Sequence, residues 1–243
     1  MSNIPYITPP QHDKLNGAVS ASDDFTIGGI ISEAWDKVNG VKGVIIGGLI
    51  ITSLIYGAIS ELLLLVLASM GLIMENEFSM IWFITALLLG VLIAMLTYVF
   101  SAGMIMLGVR RAANQPVYFK NIFSYLGMML PLAITALLTT VIISIGFSLF
   151  VLPGIYLSIA YSLAIPLVAE RGLSPWEAME TSRKAINKCW FRVFGLCLVL
   201  SLIVAISAIP MLIGLIWSLP LAIIAMGILY RNLFGVQAMG PSN

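Results

Sequence analysis

Long apolar runs broken by short polar stretches set the plan of the chain, and the polar stretches themselves carry helical spacing. Ile27, Ile30, Ile31, Ala34, Trp35 and Val38 fall on one face of a helix, and Ser32, Glu33, Asp36 and Lys37 on the other, ending at Asn39-Gly40. A first span is expected at about 43–69, where Gly43, Gly47 and Gly48 would admit a close neighbour. A second is expected at about 80–108, before Arg110 and Arg111. Phe119, Ile122, Phe123 and Leu126 then share a face beside Lys120 and Asn121, and lead into a run from Met128 to Ala169 without a charged residue. That run is too long for one crossing. It reads as a helix pair turning at Leu152-Pro153-Gly154, where proline would end the incoming helix and glycine would permit the reversal.

The clearest local signal follows. Ser174 is placed to cap a helix whose first residue is Pro175 and whose third is Glu177, so that hydroxyl and carboxylate would satisfy orphan amide donors. The periodicity then puts Trp176, Met179, Ile186 and Trp190 on one side and Glu177, Glu180, Arg183, Lys184 and Lys188 on the other. Val193 to Tyr230 is again uncharged and fits two short spans, with a break near Pro210 to Gly214 favoured over Ser218-Leu219-Pro220. An amphipathic segment followed by an apolar pair thus recurs three times. Ala34–Gly47 aligns with Ser182–Gly195 at an offset of 148 residues, matching Val38 with Ile186, Asn39 with Asn187 and Gly47 with Gly195.

Composition turns this pattern into a class. Charged residues make up 9% and apolar residues 60% of the 243, with a mean hydropathy of +1.05, against about 25% charged in soluble domains. The fold class read from the sequence is an all-α integral membrane protein with about six transmembrane helices. They form three hairpins, each preceded by a cytoplasmic amphipathic interfacial helix. All 12 Lys and Arg residues lie in the N-terminal tail, the amphipathic segments and their neighbouring loops, or the C-terminal end. The positive-inside rule then places both termini in the cytoplasm and leaves three loops free of lysine and arginine outside, the first carrying Glu75 and Glu77. The expected domains are a flexible cytosolic tail at 1–26, one membrane domain at 27–234 and a short cytosolic tail at 235–243. The tail has prolines at Pro5, Pro9 and Pro10 and no apolar core of a cleavable signal.

Candidate chemistry is sparse. Glu61 is the one ionisable side chain that could lie at membrane depth, and reads as an interfacial residue or a proton or cation site. His12, the single histidine, sits in the tail, and no phosphate loop, metal-ligand spacing or nucleophile motif is present, so no catalytic residue, cofactor or metal is expected. Cys189 and Cys197 read as reduced packing residues. A net charge of +1 gives no reason to invoke nucleic acid. Membrane lipids are the expected surroundings, a protein partner could bind the cytoplasmic face, and no motif specifies a homo-oligomer.

The stretch Leu152–Phe194, with its LPG, its short aromatic span ending at Pro166, its acidic Glu170 and its SPWEAMETSRK helix, resembles bacterial multi-pass proteins of unknown function. These include the YciC-like group and the membrane domain of some glycerophosphodiester phosphodiesterases. The resemblance implies a bacterial cytoplasmic-membrane protein of about six helices with no established activity. The resulting expectation is a non-enzymatic accessory, assembly or envelope-maintenance factor. Trp176, Glu177, Arg183 and Lys184 are its candidate working residues, and Pro153, Gly154, Ser174 and Pro175 its turns and caps. The alternative is a small transporter or lipid-handling protein with a cavity between hairpins, broken at Pro153, Pro166, Pro210 and Pro220. An enzyme acting on membrane lipid ranks third.

Overall fold

The computed structural model describes residues 25–69, 80–209 and 212–236, apart from the side chains of 63, 67, 69, 80–89 and 91–96. His12, Glu75, Glu77, Pro210 and the expected tails before 25 and after 236 lie outside these residues. Among the described residues the chain is all-helical: α1 Ile27–Val38, α2 Lys42–Ser69, α3 Met80–Ala112, η1 Phe119–Met128, α4 Met129–Leu149, α5 Val151–Ala160, α6 Ala164–Arg171, α7 Pro175–Lys188, α8 Trp190–Ala208 and α9 Leu215–Phe234. Five stretches are long and apolar enough to cross a membrane, namely Lys42–Val66, Phe119–Leu149, Val151–Arg171, Trp190–Ala208 and Leu215–Phe234. The second expected span falls within α3.

The core is built around the crossing of α3 and α9, onto which α1, α2, α4, α6 and α8 pack. Two glycines make that crossing close. A Cβ on Gly227 would stand 2.3 Å from the carbonyl carbon of Gly108, and one on Gly108 would stand 2.3 Å from the carbonyl oxygen of Ile223. Small residues let the two backbones touch. In α2, by contrast, Gly43 and Gly47 face open space, and only Gly48 is packed, against Ile122 and Met104. The expectation that all three admit a neighbour is corrected accordingly.

The turn expected at Leu152-Pro153-Gly154 lies earlier. Phe150 is the extended residue that ends α4, and Pro153 is the third residue of α5, where the missing N–H has no helical partner to lose. Gly154 is helical and serves for space, because a Cβ there would lie 2.4 Å from the Phe147 ring. A second break follows α5, across Tyr161, Ser162 and Leu163. Ser182 of α7 fills it: its hydroxyl donates to the Ala160 carbonyl (2.7 Å) and accepts from the Leu163 N–H (3.3 Å). Between α8 and α9 the helices stop at Ala208 and restart at Leu215, and Pro220 lies inside α9.

Three faces differ from the periodic reading. Trp35 and Trp176 are exposed rather than packed, since the buried sides of their helices are Ile30, Ala34 and Val38 in α1 and Ala178, Met179, Ser182, Ala185 and Ile186 in α7. In η1 the buried residues are Asn121, Ile122 and Tyr125, with Leu126 turned outward, because the segment is 3₁₀ and continues directly into α4. Phe25, expected in the tail, belongs to the core, and Thr26 caps α1 by accepting from the Gly29 N–H at 3.2 Å.

Candidate functional site: a polar layer and an aromatic groove

Apolar helices that end together leave unpaired carbonyls, and this chain covers them with side chains from neighbouring helices. The α3 carbonyl of Ala112 accepts from Lys37 Nζ (2.8 Å) and Arg231 Nη1 (2.7 Å). At the end of α1, Lys37 O and Asn39 O accept from Arg111 at 2.8 and 2.9 Å. At the end of α9, Phe234 O accepts from Arg171 Nη2. Each cation also sits in the last turn of its own helix, where the helix dipole favours positive charge.

Two carboxylates complete the layer. Glu33 takes both arms of Arg231, at 2.6 and 2.9 Å, and pairs with Lys37 at 3.1 Å. The Arg231 hydrogen bond holds the Glu33 carboxyl below its usual value, with burial opposing and Lys37 assisting. Deeper in, the Glu170 side chain is fully buried, accepts the Tyr230 hydroxyl and lies 3.6 Å from Arg171 Nε. Arg110 is buried nearby, with its Nε lacking a hydrogen-bond partner.

The expected site residues separate into groups. Ser174 occupies the N-cap position before Pro175, but its hydroxyl makes no capping bond and instead donates to Glu177 Oε2 at 3.4 Å. The carboxylate has drawn it away from the amides, which corrects the expected cap. Arg183 grips Glu180 with two hydrogen bonds (2.9 and 2.8 Å), and Lys184 adds a third contact at 3.4 Å. The Arg183 hydrogen bond pushes the Glu180 carboxyl down to about 2, and the same contact raises Arg183. Trp176 is exposed on the same helix. Glu61 is exposed on α2, apart from both groups. Pro153 and Gly154 belong to α5 and shape its contact with α4.

Beside α7 lies an open groove of about 500 Å³ between α5 and α8, walled by Leu152, Ile155, Phe191 and Phe194. At one end the Tyr156 hydroxyl donates to Asn187 Oδ1 at 2.8 Å, and Trp190 stacks on Phe194. The sequence reading overlooked both the groove and the polar layer. The signal of the polar layer was present in Arg110-Arg111, Glu170-Arg171 and Tyr230-Arg231, each a polar pair ending an apolar run in a charge-poor chain.

Several helix hydroxyls donate back to carbonyls of their own helices, as Ser60, Thr135, Thr139, Ser158 and Ser201 do. Cys189 Sγ likewise faces Ala185 O at 3.8 Å. The class these features define is a protein that, among the described residues, is all-helical with five stretches long and apolar enough to span a membrane. No family model, curated protein or solved structure matches the chain.

Proposed function

We propose that the chain is a non-enzymatic six-span protein of a bacterial cytoplasmic membrane, an accessory, assembly or envelope-maintenance factor that docks a protein partner on the exposed side of α7. The observation that carries the topology is the meeting of the C-terminal ends of α3, α6 and α9 in one polar layer. Three apolar pairs that each leave and return to the cytoplasmic face would bring those ends together, with their arginines inside. The internal repeat gains support as well. The offset of 148 carries the start of α1 at Ile27 onto the start of α7 at Pro175, and that of α2 at Lys42 onto that of α8 at Trp190. It also carries buried Ile30, Ala34 and Val38 onto buried Ala178, Ser182 and Ile186.

The docking reading rests on an exposed tryptophan beside a charged ridge of Glu180, Arg183 and Lys184, a combination of aromatic and arginine side chains that protein interfaces favour. The resemblance of the LPG-to-SPWEAMETSRK stretch to the YciC-like group bears on the membrane reading alone, since it implies no established activity. The test is co-purification in native nanodiscs with quantitative mass spectrometry. A stoichiometric protein should be captured by the wild type and lost from Arg183→Glu/Lys184→Glu. An unchanged set of bound proteins in that variant would overturn the reading. The groove favours a second reading, that of a small lipid-handling protein.

A further inference from the structure

The groove between α5 and α8 is open on an apolar surface: Leu152 is 79% and Phe191 83% exposed, and Phe150 and Val151 continue the patch. Large apolar side chains remain this exposed where hydrocarbon, not water, meets them. A convex helix offers a lipid chain only a line of contact. A concavity of about 500 Å³ with aromatic walls encloses one.

The polar end of the groove supplies the other half of an amphiphile's needs. Asn187 is exposed and keeps its amide NH₂ as a donor while its oxygen is taken by Tyr156, and the Trp190 indole N–H is buried without an acceptor. Lys184 and Lys188 of α7 and Arg192 of α8 are exposed, and Lys188 and Arg192 each directly follow a groove-lining residue, Asn187 and Phe191. Their charge complements a phosphate, and an aromatic-walled cleft beneath them complements an acyl chain.

We infer that this groove binds one anionic glycerophospholipid, its acyl chain between Leu152, Ile155, Phe191 and Phe194 and its phosphate near Asn187 and the Lys188–Arg192 edge. The inference deepens the lipid-handling reading and rests on the membrane assignment; it does not depend on a protein partner at Arg183 and Lys184.

The full chain is reconstituted in phosphatidylethanolamine nanodiscs carrying a trace of phosphatidylglycerol with a photoreactive acyl chain, irradiated, and its adducts mapped by mass spectrometry. Adducts should concentrate in 150–156 and 190–194. Their yield should fall about fivefold in Leu152→Trp, which fills the groove, and about fivefold with a phosphatidylcholine probe or in Lys188→Glu/Arg192→Glu. All three substituted positions are exposed, and a thermal melt of each variant verifies that it folds. Adducts spread evenly over exposed Leu137 and Leu202, equal yields in Leu152→Trp, or equal yields for both head groups would overturn the site. So would loss of groove adducts together with a dimer in native mass spectrometry of the same nanodiscs, which would mark a second copy as the occupant. Loss of partner capture without change in these adducts would leave the lipid site standing, and the converse would leave the docking reading standing.

Discussion

Arg231 joins three parts of the molecule with one guanidinium, bonding Glu33 of α1 and the last turn of α3 from the end of α9. Its partner Glu33 has a folded-state pKa below the ordinary 4.5, chiefly through that hydrogen bond. A depressed carboxyl stabilises the fold fully above its unfolded value, and the contribution is lost as pH falls through the folded one. Melting in mild detergent should therefore show stability declining below about pH 4.5, and Glu33→Gln should flatten that decline. Parallel acid slopes for the two proteins would contradict the assignment. Ser182 carries a different load, since it bonds both backbone groups exposed by the break after α5. Ser182→Ala should cost about 1–3 kcal/mol, because a buried carbonyl and a buried amide lose their partner together. A melting temperature equal to wild type would show that the break is held by other means.

At the scale of the elements, the crossing of α3 and α9 decides the packing. Gly227→Ala would drive a methyl into the Gly108 backbone and should destabilise by about 1–3 kcal/mol or more, since neither backbone can yield alone. Gly47→Ala, with nothing within 4 Å, should be neutral or stabilising. Equal melting temperatures for the two variants would show the crossing to be looser than the geometry requires. Helix starts and apolar runs were legible in the sequence because they depend on local chemistry. Pro175 opens α7, and the interval from Ala208 to Leu215 brackets the expected Pro210–Gly214 break. What local chemistry does not determine was misplaced. The α4 turn falls at Phe150, one turn before the glycine, because Gly154 is needed to clear Phe147. The break at Tyr161–Leu163 has no glycine or proline and depends on Ser182, about 20 residues away. Trp35 and Trp176 face outward because periodicity counts apolar residues without knowing which of them a neighbouring helix will cover.

For the whole molecule, the polar layer reads as the place where the chain closes on itself. Four helix C-termini, two buried or half-buried carboxylates and the arginines that follow apolar runs share one end of the bundle. The sequence located these charges but treated them as topology signals, since pairing across 198 residues, as between Glu33 and Arg231, leaves no local trace. If that end is cytoplasmic, the polar elements around it must share one compartment. This can be tested directly by single-cysteine labelling in a chain whose Cys189 and Cys197 are replaced by alanine, using a membrane-impermeant maleimide on intact cells. The account predicts labelling of Glu75→Cys and Leu212→Cys from outside, and of Asp36→Cys, Ser124→Cys and Lys184→Cys only after the membrane is opened. Labelling of any of those three alongside Glu75→Cys in intact cells would contradict the three-hairpin topology.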